Sequence, residues 1–96
     1  MTEAMLLKVL LEIEAKKEEG EHRLGEGRRL TLYAGHGGAT LTVTRVEGLR
    51  LLEDGTVVAR NDKGDRYFVS LTDLFAVAAE GGAGTTSASR KAGFLG

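Results

Sequence analysis

The 96-residue chain contains no cysteine, no proline and no tryptophan, and only 5% of it is aromatic. Without cysteine there is no disulfide framework, no thiolate metal site and no cysteine nucleophile. Without proline the turns fall to Gly, Asp and Asn, a demand that accounts for much of the count of 14 glycines without invoking a phosphate loop. An excess of one charge is missing too. Thirteen basic and 14 acidic side chains leave a net charge of −1, so no overall field draws in nucleic acid or anionic lipid, and such binding would need a local patch. Long hydrophobic runs are also lacking: the most apolar stretch, Met5 to Ile13, is interrupted by Lys8 and Glu12 and is shorter than the about 20 apolar residues a bilayer requires. It has neither the basic flank nor the small-residue cleavage site of a signal peptide, so the expected location is the cytoplasm, with no membrane partner. A length near 100 residues gives one domain with one small core, and a self-contained enzyme is not expected.

What is present divides into three parts. Residues 2–19, TEAMLLKVLLEIEAKKEE, are strong helix formers, with Thr2 placed to cap the start and Gly20 to stop the end. This predicts an N-terminal amphipathic helix over 2–19. At 100° per residue its apolar positions Met5, Leu6, Leu7, Val9, Leu10, Leu11 and Ile13 cover an arc of roughly 240°, far wider than the roughly 100° stripe of an ordinary surface helix. Either the helix lies deep across the open end of a barrel, or a second protomer or partner shares it; the small core favours sharing, with these residues as the oligomer interface. After the polar, Gly-punctuated connector 20–29 the period changes to that of strands. LTLYA (30–34) and ATLTVTRV (39–46) flank a Gly35-His36-Gly37-Gly38 hairpin loop. In the second strand Ala39, Leu41 and Val43 alternate with Thr40, Thr42 and Thr44, one face for the core and one for solvent. Asp54-Gly55 and the segment 61–65, NDKGD, mark further turns, a single helical turn is expected around Thr72-Asp73-Leu74, and a short strand over 75–79 follows. The fold class expected is α+β: a helix, then a small, strongly bent antiparallel β-barrel over 28–80. Residues 81–96 have linker composition and form a tail.

The order of helix, strands with tight Gly/Asp turns, and YFVSLTDLFAV at 67–77 resembles the small SH3-like and Sm-like barrels of bacteria. The helix-first order is similar to that of the bacterial Sm-like RNA chaperones, which would imply an oligomeric ring and an RNA or nucleotide ligand. Where that family carries a Tyr-Lys-His-type signature, this chain has Ser70-Leu71-Thr72-Asp73. Arg28-Arg29 before the first strand resembles the arginine pair of the cyclic-dinucleotide-binding PilZ barrels, but the D/N-x-S-x-x-G segment of that family does not follow.

Chemistry-bearing patterns are few. His22 and His36 are the only histidines, and neither has a carboxylate at ligand spacing, so no metal is expected. Gly25-Glu26-Gly27 lacks a third Gly at the dinucleotide spacing, and no Walker sequence is present; no cofactor is expected. Arg23, Arg28 and Arg29 form the one local basic cluster and, with His36, are the candidate anion-binding residues. In the tail, Arg90, Lys91, Phe94 and Leu95 combine charges with apolar anchors at the end of a Gly/Thr/Ser leash, the composition of a short docking peptide for a protein partner. The function expected is a non-catalytic binding or scaffold module that self-associates through its helix as a homo-oligomer, or as part of a larger assembly, and docks a partner through its tail. The alternative is an Sm-like oligomer binding RNA or a nucleotide through Arg23, Arg28 and Arg29.

Overall fold

Thr2 starts the helix as a side-chain cap. Its Oγ1 accepts the Met5 N–H at 3.1 Å and its carbonyl accepts from Leu6 at 3.0 Å. The helix α1, Glu3–Glu12, turns Leu6 and Leu10 into the core. The computed structural model describes residues 1–81, so the predicted docking residues Arg90, Lys91, Phe94 and Leu95 lie outside the described residues.

The helix stops well before Gly20. Ala15 donates to the Leu10 carbonyl and Glu14 to the Leu11 carbonyl, both at 3.0 Å, while Glu14 takes a φ of 61°. These are the paired bonds of a Schellman ending, in which the left-handed position is usually glycine. Here glutamate occupies it, so the predicted extent of 2–19 is too long. Ala15 packs against the core, supplying the apolar contact that accompanies such an ending. The helix-forming residues beyond it become strand: β1 (Lys16–Glu18) and β2 (Glu21–Arg23) form a hairpin with Glu18 opposite Glu21. Glu19 and Gly20, at φ 53° and 83°, make the two-residue turn with positive φ at both positions that suits a twisted hairpin. Cross-strand pairing outweighs helix propensity there because β2 also docks on the main sheet, His22 opposite Leu49.

The remaining strands are β3 (Arg28–His36), β4 (Ala39–Leu51), β5 (Thr56–Asn61), β6 (Arg66–Ser70) and β7 (Leu74–Gly81), with one 3-10 turn, Leu71–Asp73, between the last two. The order is β1-β2-β4-β3-β7, with β5 on β4 and β6 on β5, and every pairing is antiparallel. The result is a helix followed by a strongly curled antiparallel sheet that forms a half-barrel. Gly81, expected in the tail, belongs to β7 and pairs with Arg28.

The curl originates in β4. Against β3 its register slips between the pairs Leu30–Val46 and Leu32–Val43, where Arg45 sits at φ 58°. Against β5 it slips again between Val46–Asn61 and Gly48–Arg60. Each slip inserts a residue into β4, and such bulges bend a strand and increase its twist. The bent strand thus serves β3 with its first half and β2 and β5 with its second. Inside the curl Leu6, Leu30, Leu32, Val46, Leu49, Val57 and Leu74 are each under 2% exposed. The alternation expected for the start of β4 holds at Val43, which is buried. It fails at Leu41, 46% exposed, because the half-barrel is open there.

On the outer face one carboxylate ties β2 to the sheet. Glu21 is only 8% exposed and accepts from Arg60 Nε at 3.0 Å and Arg23 Nε at 2.8 Å. It fits because Gly48 lies beneath it: a Cβ there would stand 2.6 Å from Glu21 Oε2 and 3.0 Å from Arg60 Nη2. Replacing Gly48 by Ala is expected to displace this carboxylate and to lower stability by about 1–3 kcal/mol, measured as a lower midpoint of urea unfolding with an unchanged slope.

Candidate functional site

The predicted arginine cluster takes part in ion pairs and hydrogen bonds within the fold. Arg23 follows the β1–β2 turn and bonds Glu18 at 2.7 Å and Glu21 at 2.8 Å. Arg28 reaches back to the helix end, donating to the Ile13 carbonyl at 2.5 Å with Glu14 at 3.7 Å. Arg29 lies between Glu47 at 3.4 Å and Asp62 at 3.5 Å, and donates to the Arg28 carbonyl at 2.7 Å. Arg60 joins Glu21 to Glu47, the latter at 2.6 Å, and Arg45 holds Asp62 at 2.5 Å. The side chains Glu18, Arg23, Glu21, Arg60, Glu47, Arg29, Asp62 and Arg45 therefore form one continuous stripe of alternating charge from β1 to the β5–β6 turn. Its charges balance. Arg60, followed by Arg23, holds the Glu21 carboxyl below the usual carboxylate range against the opposing effect of burial. Arg45, followed by Arg29, does the same for Asp62. In this stripe the guanidiniums stabilise the protein's own carboxylates.

His36 does not join the arginines. It is the last residue of β3, at the far end of the strand from Arg28 and Arg29, roughly 25 Å away. Its Nδ1 lies 3.0 Å from Asp73 Oδ1 in the 3-10 turn. The pair lines a cavity of about 220 Å³ together with Leu41, Phe68 and Val69 among others. The hydrogen bond and charge of Asp73 raise the His36 pKa. Burial, with Lys17 as a smaller cause, lowers that of His22.

The predicted oligomer interface divides in two. Leu6 and Leu10, 1% and 3% exposed, belong to the chain's own core and are not available to a second chain, which corrects their place in the interface. Met5, Leu7 and Leu11 are 53%, 41% and 79% exposed. Val9 and Ile13 are half-buried, on the flank of the Leu6–Leu10 face that leads to Met5.

One surface was not singled out from the sequence. Cross-strand register places Arg50, Val58 and Phe68 in one row across β4, β5 and β6, and Arg60 and Arg66 in the next. They enclose a depression of about 410 Å³ with Leu52 and Glu21 on its border. The period-2 alternation of Arg50 with Leu52, Val58 with Arg60 and Arg66 with Phe68 is visible in the chain. What brings the three pairs together is strand order.

No known protein family, curated protein or solved structure matches the chain.

Because the folded-state pKa of His36 is raised, the contribution of its bond to Asp73 is fully present below the unfolded value near 6.5 and is lost as pH rises through the higher folded value. His22, with its lowered pKa, works in the opposite sense and costs stability on acidification. The two are separated by comparing the chain with its His36→Asn variant: the melting temperatures are expected to differ at mildly acidic pH and to converge in mildly alkaline buffer.

Proposed function

We propose that the protein is a non-catalytic cytoplasmic binding module that assembles with a second copy of itself through the outward face of α1. The observation that carries this reading is the exposure of Met5, Leu7 and Leu11 on a helix whose opposite side is already buried. Leu7 and Leu11 are one turn apart and share a face. Two such helices packed antiparallel through this face set Leu7 of one copy opposite Leu11 of the other and bury the same patch on both, as a two-fold interface requires. Burying a leucine side chain contributes about 1.5–3 kcal/mol, so a patch of this composition favours pairing.

The chemistry of the described acids fits a binding role. Asp54 accepts the Thr56 N–H at 2.9 Å and shapes the β4–β5 turn, Asp73 faces His36, and Glu21, Glu47 and Asp62 are held by arginines. Docking of a protein partner through Arg90, Lys91, Phe94 and Leu95 stays part of the proposal on composition alone. For the described body, light scattering after size exclusion is expected to give a dimer at micromolar concentration. The variant Leu7→Lys/Leu11→Lys should run as a monomer with unchanged circular dichroism, its association weakened at least about a hundredfold. A monomeric parent chain would overturn self-association.

A further inference from the structure

We propose that the outer face of β4, β5 and β6 is a binding site for an acidic peptide segment that carries an apolar anchor residue. This site is separate from the helix face and adjoins the charged stripe, with which it shares Glu21 and Arg60. Its floor is Val58, 8% exposed. Leu52 rises on the β4 side and Phe68, 65% exposed, on the β6 side, leaving an apolar seat within the depression of about 410 Å³. That size is within the range of ligand pockets, roughly 300–1,000 Å³.

Charge specifies the occupant. Three arginines, Arg50, Arg60 and Arg66, border the depression against one glutamate, Glu21, which is itself bonded to Arg60 and Arg23. The surplus of cations is local, in a chain whose net charge is −1. Arg60 is anchored on Glu21 and Glu47. Among the described residues, Arg50 and Arg66 take part in no ion pair, and they stand at opposite sides of the seat, on β4 and β6. A free guanidinium on either side of an apolar seat matches carboxylates flanking an apolar side chain, since the planar fork accepts a carboxylate in a bidentate manner.

The same surface is a poor platform for a nucleic acid strand. Binding of that kind rests on successive aromatic side chains that stack successive bases, and this face offers only Phe68. Tyr67, its neighbour in β6, alternates to the other side of the sheet. The exposed side of α1 mixes Met5, Leu7 and Leu11 with Glu3, Lys8 and Glu12, so a second copy as occupant is an outcome of the test: self-association lost in Arg50→Gln/Arg66→Gln would overturn the peptide as occupant. The terminal residues Arg90 and Lys91 would repel the arginines.

The test uses the full chain and a short fluorescein-labelled peptide in which a Leu-Phe pair is flanked on both sides by Asp and Glu, read by fluorescence anisotropy. Saturable binding that weakens with added salt is expected. It should fall about tenfold for Arg50→Gln/Arg66→Gln and about tenfold for Phe68→Ser, with circular dichroism unchanged. Replacing the peptide's acids by Asn and Gln alters nothing in the protein and is expected to abolish binding. The proposal is overturned if the acidic peptide does not bind at low salt. It is equally overturned if the amide peptide or the double variant binds as well, or if a single-stranded oligonucleotide binds more tightly than the peptide.

Discussion

The arrangement of the outer face depends on the carboxylate of Glu21, held between Arg60 and Arg23 over the bare backbone of Gly48. A carboxylate so largely withdrawn from water is costly unless charged donors meet it. Here two guanidiniums do, and through Arg60 the bond extends to Glu47, then Arg29, Asp62 and Arg45. From Glu21 onward consecutive members come from different strands or turns, so the stripe links the β1–β2 hairpin to β3, β4 and β5. The Glu21–Arg60 pair crosses from β2 to β5, which ties the small hairpin to the larger sheet beyond what its three-residue strands supply.

That requirement accounts for the ion pairs that the arginine cluster makes. Clustered arginines in a chain can hold a phosphate or their own acids, and composition alone treats these alike. Register decides. Arg23 faces Gly48 across the β2–β4 pair, which points it at Glu21, and the bulge at Glu47 brings that carboxylate between Arg29 and Arg60. The arginines free of ion pairs among the described strands, Arg50 and Arg66, are separated by 16 positions in the sequence and meet only through β5.

The helix illustrates the same division. Its seven apolar residues marked a surface too wide for one small barrel, and the structure bears out that geometry: Leu6 and Leu10 face the core while Met5, Leu7 and Leu11 face away. The helix end was not legible. Glu14 terminates it in a left-handed conformation that glycine ordinarily takes, and the residues after it have high helix propensity. Only the hairpin they form, docked on β4, holds them extended.

Local chemistry was enough for the coarse fold. Thr2 signalled the cap, Gly37 and Gly38, Asp54-Gly55 and the segment 61–65 signalled turns, and period-2 alternation between them signalled strands in a helix-first α+β barrel. These features involve residues close in the chain, so the sequence alone determined them. Which strand lies beside which, where β4 bulges, which arginines meet carboxylates, and which basic and apolar side chains gather on one outer face were decided by the tertiary structure. Each depends on pairing between segments far apart in the chain. A slip of one residue would turn the same side chains to the opposite face.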